Sequence, residues 1–500
     1  MTAVRAHRVD AGLRPDPSRV LTRLFAPGGS ATPGRSRLQA IADRVMAIDE
    51  PEVDRLAARV IVEFAGRGHD LAGAVRANAA LVAGQVGGGA PLSAARTVLL
   101  GAALTAEYAT EAAALCNPSA VAHPDQDGLL PGQLRVAVSL RAIGEGHISS
   151  IAFVDAIVGP GPRWTFGPRR RPVVSGRTAE AIWSRARLRT SLAEHDGVDA
   201  VTAAVLGALP DLFTDQDFEH TLAGIPARLR TQPGAPATID LIRRTLVSAY
   251  SIEFPTDSDL SQRLLFPHAA QESNGMEDAR LTRFTDDDRR VEYRATYTAY
   301  DGRDIAPRLL TSPDLRRLAA GPLVGPAATN KGMALFPRRV GGEHLALCRT
   351  DGETISLARS ADGFRWSSPV TAHAPVEPWE VIQVGNCGPP IETGPGWLVL
   401  THGVGPMRTY VMGAILLDLD DPTRVIGRLR EPLLRPDADE RDGYVPNVVY
   451  SCGGIVHDGR LWIPYGIGDA RIGVAWVDLA GLLAALTGDG QPDEPESNRS

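Results

Sequence analysis

The chain has 500 residues, 44% of them hydrophobic and 22% charged, so it is long enough to form two or three packed regions with a proper core. Its formal net charge of −7 argues against a general nucleic-acid binder, and it has no run of about 18 apolar residues that would form a membrane span. The N-terminal sequence lacks the apolar core of a secretory signal and the four cysteines form no CxxC pair, so we expect a cytoplasmic protein with reduced thiols and no zinc site.

The predicted elements alternate between helical and β-rich regions. Residues 1–104 carry apolar residues at three- and four-residue spacing, which predicts a helical N-terminal region. In residues 105–175 the segments QLRVAVSLRAI and SSIAFVDAIV predict strands, and residues 176–250 predict a helical insertion. Strand patterns separated by turns recur over 251–486, and the acidic, proline-containing residues 487–500 predict a disordered tail.

Asp-Gly turns follow many of the predicted strands after residue 251. SADGFRW, residues 360–366, has the form of a tight turn with an aromatic residue packed beneath it. Short strands at this spacing predict antiparallel β-structure, which a sandwich, a barrel or a propeller would satisfy. Their repetition favours a propeller, because circular closure removes exposed sheet edges.

The basic residues are very unevenly divided between the two types. Lys331 is the only lysine, and the other 51 of the 52 basic residues are arginines. A lysine in such a background suggests a position where a compact point charge serves and a planar guanidinium does not. Survival by chance is the alternative.

The densest polar segment is ESNGMEDARL, residues 272–281, just before a strong strand pattern. A carboxyl group held beside an arginine and partly desolvated is a reasonable general acid or base. The alternative is a solvated loop in which Glu277 pairs with Arg280.

Further polar residues lie at the ends of other predicted strands. SLRAIGEGHISS, residues 139–150, carries Arg141 and His147, and a hydrogen-bonded structural role is the alternative for this histidine. Cations from separate segments, together with a carboxylate, suit a pocket for a sugar and an anion such as phosphate. The sequence has no phosphate-binding GxxxxGK[ST] loop, no HExxH motif and no GxSxG motif, so the corresponding enzyme classes are not indicated.

Taken together, these segments resemble glycoside hydrolase family 130, the β-mannoside phosphorylases and β-mannosidases. The resemblance covers about residues 105–160 and 251–480, with the motifs in the same order along the chain. It implies a mainly β fold, a five-bladed β-propeller with the sugar site in a central funnel. It also implies that the helical N-terminal region and the helical insertion serve homo-oligomerisation.

The resemblance also implies roles for individual residues. Glu277-Asp278-Ala279-Arg280 matches the family's Glu-Asp-Pro-Arg motif and makes Asp278 the general acid, which relays its proton through a sugar hydroxyl. The residues expected to contact the substrate are Asn117, Ser119, Glu277, Arg280, Tyr450 and Asp469. Those expected to bind phosphate are Arg141, Lys331, Arg349 and His402.

One position departs from the family pattern. Many phosphorylases carry Pro-Pro-Ile-Lys-Thr where this chain has Pro389-Pro390-Ile391-Glu392-Thr393, and a carboxylate there would repel phosphate. In an inverting hydrolase Glu392 would be the base that activates water, at roughly 6.5–9.5 Å from the acid.

The four cations at candidate positions nevertheless favour phosphorolysis. We expect an inverting enzyme that cleaves β-mannosidic bonds, β-1,2 bonds in the first place, in β-mannoside oligosaccharides. Inorganic phosphate would be the co-substrate and mannose 1-phosphate the product, with no metal, organic cofactor, nucleic acid or membrane involved. The alternatives are an inverting β-mannosidase with Glu392 as the base, and a non-catalytic propeller that binds glycans.

Overall fold

The computed structural model describes residues 4–25, 30–32, 35–67, 70–86, 91–195 and 199–488. Most strands fall into five antiparallel groups of four, which we call β-units I to V. β-Unit I contains Ala114–Ala122, Leu134–Ile143, Ser149–Val158 and Trp164–Phe166. β-Unit II contains Gly275–Thr285, Val291–Tyr300, Ile305–Ser312 and Arg317–Pro322.

The next two groups follow directly along the chain. β-Unit III contains Ala334–Leu335, His344–Cys348, Ile355–Ser360 and Val370–His373. β-Unit IV contains Gln383–Asn386, Trp397–Gly405, Thr409–Leu417 and Val425–Arg428.

β-Unit V is formed by strands that are far apart in the sequence. Its strands are Val449–Tyr450, Arg460–Ile467, Arg471–Asp478 and, from the N-terminal region, His7–Leu13. The sequence prediction placed all of residues 1–104 in a helical region, and the structure differs at this strand. The reason is the two-residue alternation of Val9, Ala11 and Leu13, which packs one face of the strand onto the core.

Short strands extend or accompany these groups. Two of them, Arg177–Ala179 and Tyr250–Glu253, continue the sheet of β-unit II. The other short pairs and additions are Val20–Leu24 with Thr105–Ala109, Ser30–Thr32 with Arg35–Ser36, Trp183–Ser184 with Leu212–Phe213, and the single strands Leu264–Leu265, Ile391–Glu392 and Ile455–His457.

The helices lie in the N-terminal region, in the segment between β-units I and II, and at the end of the described chain. Those of the N-terminal region are Arg37–Met46, Glu50–Glu63, Leu71–Val86 and Ala94–Ala103. Those of the second segment are Arg185–Ala193, Ala200–Ala208, Asp215–Gly224, Ala227–Arg230 and Ala235–Leu246. Leu479–Gly488 is the last helix, and the rest of the predicted tail lies outside the described residues.

The hydrophobic core is divided among the interfaces between neighbouring β-units. One apolar cluster joins β-units I and II, and further clusters join II with III, III with IV, IV with V, and V with I. The helices of residues 185–246 form a separate cluster around Trp183 and Phe218. The prediction of a mainly β chain is therefore confirmed, while the domain boundaries stay predictions.

None of the helices in the described ranges has both the length and the apolarity needed to cross a bilayer.

Candidate active site

All five β-units contribute side chains to one charged cavity of about 240 Å³, which we call the charged cavity. Ten of the twelve predicted site residues line it: Asn117, Arg141, Glu277, Asp278, Arg280, Lys331, Arg349, His402, Tyr450 and Asp469. A larger cleft of about 580 Å³ lies elsewhere, next to His123 and Arg263, and contains none of the predicted residues. The charged cavity is therefore the candidate active site.

Left-handed backbone conformations bring three of the polar residues into this cavity. Asn117 and Asp278 have φ angles of 51° and 57° and lie where the first strands of β-units I and II lose their regular register. Asp469, with φ 48°, occupies the turn between the second and third strands of β-unit V. Such conformations are costly for residues other than glycine, although Asn and Asp tolerate them best, and they concentrate at functional sites.

Asp278 is surrounded by hydrogen-bond donors and positive charge. The amide of Asn117 donates a hydrogen bond of 2.6 Å to Oδ1, and guanidinium nitrogens of Arg280 and Arg141 lie 3.7 and 3.9 Å from the carboxylate. Burial opposes ionisation of this group, but the two arginines outweigh it and hold the pKa of Asp278 below its ordinary value. In the free protein Asp278 is therefore an ionised carboxylate at neutral pH.

Glu277 joins cations from two different β-units. Its Oε1 accepts a hydrogen bond of 2.6 Å from Arg141, and its Oε2 accepts one of 2.6 Å from Lys331 Nζ. The Lys331 side chain keeps 43% of its surface exposed, so the ammonium group can reach a ligand in the cavity. Glu277 thus positions two cations, one of them the only lysine of the chain.

Arg280 and Arg349 form a buried cationic corner. Arg280 donates hydrogen bonds to the Cys387 carbonyl at 2.9 Å and to the Tyr450 hydroxyl at 2.8 Å. Arg349 donates one of 2.5 Å to the Gly352 carbonyl, while its buried Nε has no partner among the described residues. Burial, together with the neighbouring Arg280, lowers the pKa of Arg349. An additional anion in the cavity would relieve this electrostatic cost.

His402 packs into the same corner as a neutral ring. Burial and the adjacent guanidinium groups of Arg349 and Arg280 hold the pKa of His402 well below its ordinary value. The close packing depends on Gly385, because a Cβ atom at that position would collide with both Arg349 and His402. His402 can therefore donate or accept a hydrogen bond, but it adds no positive charge at neutral pH.

The pKa of Asp469 is shifted in the opposite direction from that of Asp278. Burial raises the pKa of Asp469 to about 6, with the nearby Asp278 and Glu277 adding to the effect and Arg141 and Arg408 opposing it. The cavity thus contains two carboxyl groups whose surroundings shift their pKa values apart, an arrangement typical of acid–base sites.

Two predicted residues are not on the cavity wall. The buried Ser119 hydroxyl accepts a hydrogen bond of 3.0 Å from the Leu281 amide, so it supports the strands instead of facing the cavity. Glu392 is exposed and forms a bidentate ion pair with Arg338 at 2.8 and 2.5 Å. It lines a separate depression of about 220 Å³ with Pro389, so the structure does not bring Glu392 to the wall of the charged cavity, and its role as a base stays a prediction.

Sequence reasoning missed several residues of the wall: Gln383, Arg408, Tyr410, Val445 and Val448. Arg408 has φ 55° and lies in the hairpin between the second and third strands of β-unit IV. The hairpin sequence Gly-Pro-Met-Arg carries no motif that indicates a left-handed arginine, so only the three-dimensional structure reveals it.

Within the described ranges, no group of three or more His, Cys, Asp or Glu side chains is placed to hold a metal ion.

Comparison with known proteins shows that the chain is similar in sequence to mannoside phosphorylases. The sequence model of one family, described as beta-1,4-mannooligosaccharide phosphorylase, matches residues 252–487. A 1,2-beta-oligomannan phosphorylase of Thermoanaerobacter sp. (strain X514) is 35% identical over 226 residues, which are 44% of this chain and 74% of the relative. A beta-1,2-mannobiose phosphorylase of the same organism is also 35% identical, over 42% of this chain and 68% of the relative.

A solved structure of beta-1,2-mannobiose phosphorylase from Listeria innocua, in complex with beta-1,2-mannobiose, superposes with a TM-score of 0.43 at 21% identity. The superposition covers 75% of this chain and 93% of that chain.

Proposed function

We propose that this chain, which belongs to glycoside hydrolase family 130, cleaves β-1,2-mannosidic bonds by phosphorolysis. The substrates would be β-mannoside oligosaccharides and inorganic phosphate, and the product would be mannose 1-phosphate. The names of the two Thermoanaerobacter relatives support both the linkage and the phosphate acceptor.

The observation that carries the proposal is the charge of the cavity. Arg141, Arg280, Lys331, Arg349 and Arg408 face only three carboxyl groups, those of Glu277, Asp278 and Asp469, so two positive charges are in excess. An excess of two matches the charge of a phosphate dianion. Cations fixed before the ligand arrives stabilise the charge that develops as the glycosidic bond breaks.

The geometry supports a division of the cavity into two sides. Lys331, Arg349 and the neutral His402, which were expected from the sequence to bind phosphate, would do so together with Arg280, which was expected to contact the sugar. Arg141, also expected to bind phosphate, is held by Glu277. Asn117 and Asp469, from β-units I and V, would bind the terminal mannosyl group. Asp278 lies between the two sides, next to both Asn117 and Arg280.

The proposed step is a single displacement with inversion at C1. A phosphate oxygen forms a bond to C1, the bond from C1 to the leaving oxygen breaks, and that oxygen receives a proton that originates from Asp278. Because Asp278 is ionised in the free site, the proton has to be taken up once substrates bind. Bound phosphate would favour this proton uptake, because a dianion beside the same arginines raises the pKa of the neighbouring Asp278 carboxyl group.

We also propose how the fold is arranged, how the protein assembles and where it is located. The five β-units would be the blades of a five-bladed propeller, with the charged cavity at its centre, and the helical regions would serve homo-oligomerisation. Residues 1–104 and 176–250 contain exposed apolar side chains, among them Val62, Leu81 and Ile182, which would be available for such contacts. We also propose a cytoplasmic location, where a sugar phosphate product can be used directly.

The test is the phosphate dependence of β-1,2-mannobiose cleavage. We expect mannose 1-phosphate to form only when phosphate is present, and Asp278→Asn to lower kcat by roughly 10²- to 10⁴-fold because the proton donor is lost. Arg349→Ala should raise the KM for phosphate by more than ten-fold, the effect of removing a charged hydrogen-bond donor. Products can be identified by chromatography and by phosphorus NMR.

Arg359→Ala is a matched control in the same β-unit. Arg359 pairs with Glu343 at 3.2 Å on the surface and does not reach the cavity, so its loss should leave the KM for phosphate unchanged. Full turnover to free mannose in phosphate-free buffer would contradict phosphorolysis.

A further inference from the structure

The charged cavity is small for all the reactants of the proposed reaction. Its volume of about 240 Å³ is below the roughly 300–1,000 Å³ of most small-molecule pockets. The mannosyl group and phosphate both have to lie beside Asp278, because the bond that breaks and the bond that forms share one carbon atom. The leaving sugar must therefore lie at the mouth of the cavity.

Tyr444 is an exposed aromatic residue next in sequence to a residue of the cavity wall. Tyr444 is 49% exposed, whereas the next residue, Val445, lines the cavity. The preceding residue, Gly443, packs directly against the backbone of Gly468, next to Asp469. A flat apolar ring with a polar hydroxyl suits the C–H face and the hydroxyl groups of a pyranose.

The Tyr444 ring is held in place by a different β-unit. Its hydroxyl lies 3.1 Å from His147 Nδ1, and the centroids of the two rings are 5.8 Å apart. His147 belongs to the hairpin Glu145–His147 of β-unit I and has a left-handed backbone with φ 61°. Because the ring is fixed before a ligand arrives, less side-chain entropy is lost on binding.

We propose that Tyr444 is the platform for the leaving sugar and that His147 is a positioning residue that holds its ring. This inference rests on the proposed function. It is testable separately, because phosphorolysis is reversible: in the synthetic direction an acceptor hydroxyl attacks C1 of mannose 1-phosphate, phosphate leaves, and the hydroxyl proton passes to Asp278. The acceptor then occupies the position of the leaving sugar. Its KM therefore reports on binding at that position, separately from the binding of mannose 1-phosphate.

The experiment measures phosphate release from mannose 1-phosphate and mannose at varied acceptor concentration. We expect Tyr444→Ala to raise the acceptor KM roughly ten-fold, as expected for the loss of an aromatic contact. The KM for mannose 1-phosphate should stay at the wild-type value. Tyr444→Phe keeps the aromatic face and loses the bond to His147, so it should raise the acceptor KM only roughly three-fold.

His147→Ala should reproduce the small effect of Tyr444→Phe. The double variant Tyr444→Ala/His147→Ala should bind acceptor no worse than Tyr444→Ala, because His147 acts only through the ring. Phe64→Ala serves as the control, since Phe64 is an exposed aromatic residue, 39% accessible, at the end of the helix Glu50–Glu63.

The outcomes separate the two proposals. If the wild-type protein makes mannose 1-phosphate and Tyr444→Ala leaves the acceptor KM unchanged, the platform is overturned and the proposed function stands. A larger effect in the double variant than in Tyr444→Ala overturns the positioning role of His147. A wild-type protein without phosphate-dependent turnover overturns the proposed function itself, and the platform with it.

Discussion

Asp278 and Asp469 line the same cavity, yet their surroundings act on the two carboxyl groups in opposite directions. Arg280 and Arg141 outweigh the effect of burial at Asp278 and lower its pKa. At Asp469 burial prevails, helped by the negative charge of Asp278, and the pKa rises to about 6. The candidate site therefore contains two carboxyl groups with different behaviour. Asp278 stays ionised beside its cations, whereas Asp469 takes up a proton in mild acid.

The raised pKa of Asp469 predicts a stability gain for Asp469→Asn. A carboxyl group with a raised folded pKa costs stability when it ionises, so this cost grows as the pH rises from about 4 and is complete above pH 6. We expect Asp469→Asn to raise the free energy of unfolding by about 2–3 kcal/mol at pH 7. The gain should vanish near pH 4, and urea unfolding at several pH values measures it.

Asp362→Asn is the control with the opposite sign. Burial disfavours ionisation of Asp362, but backbone N–H groups of Arg365 and Phe364, each at 2.8 Å, outweigh it and lower its pKa. The neutral variant should therefore be less stable than the wild type at pH 7, with a difference that shrinks as the pH falls. A stability difference for Asp469→Asn that does not change with pH would contradict the assignment.

Residue types alone could predict part of the site. Lys331 stands out because it is the only lysine, and the structure places its ammonium group on Glu277 in the cavity. The sequence prediction placed Glu392 at the site, but the structure places it elsewhere. A sequence motif does not reveal which end of a strand a side chain occupies. Pro389 and Pro390 line the same depression as Glu392, and none of the three lines the charged cavity.

At the level of elements, β-units I and IV contain the same hairpin between their second and third strands. In each, the last two of three turn residues are left-handed: Gly146 and His147 in one, Met407 and Arg408 in the other. Met407 is 87% exposed and has φ 58°, where β-unit I has a glycine with φ 64°. The backbone strain at Met407 accompanies the placement of Arg408 on the cavity wall.

This equivalence predicts reciprocal effects on stability. Met407→Gly relieves the left-handed strain of a side chain that is almost fully exposed, so we expect the free energy of unfolding to rise by roughly 0.5–1 kcal/mol. Gly146→Met should lower it by a similar amount, because a Cβ at Gly146 meets nothing within 4 Å and only the backbone conformation is affected. Thermal unfolding of both variants checks this. A destabilised Met407→Gly would show that the exposed side chain makes a stabilising contact.

The strand elements were largely predictable because their patterns are strong. TYVMGAILLDL forms the strand Thr409–Leu417, and in the predicted tight turn Asp362 accepts two backbone hydrogen bonds above the buried Trp366. The strand His7–Leu13 was missed because its alternation is short and only Val9, Ala11 and Leu13 form its apolar face. Its partner lies at the other end of the chain, and no local signal identifies such a pairing.

At the scale of the whole molecule, the two ends of the described chain are tied together in β-unit V. Arg8 donates hydrogen bonds of 3.0 and 2.6 Å to Glu440, whose buried carboxylate also accepts one of 2.6 Å from Tyr465. The strand His7–Leu13 thereby covers the strand Arg471–Asp478, which begins two residues after Asp469. The N-terminal strand consequently supports one wall of the charged cavity.

Arg8→Ala tests this support. Removal of the guanidinium leaves the Glu440 side chain, only 5% exposed, without its main cationic partner, and we expect a loss of about 2–3 kcal/mol in unfolding free energy. Arg5→Ala, at an exposed arginine three residues earlier, should change it by less than about 0.5 kcal/mol. Chemical denaturation of the two variants measures the difference, and equal losses would contradict a specific role for Arg8.

The strand His7–Leu13 pairs with a strand that is made much later during protein synthesis, and this sets an order of events. His7–Leu13 is translated more than 450 residues before Arg471–Asp478, so it has no sheet partner while β-units I to IV are made. A nascent chain that stops before residue 469 already contains all five cations of the cavity but lacks Asp469. Completion of the cavity wall is therefore coupled to translation of residues 469–478, and products truncated before residue 469 carry no finished pocket.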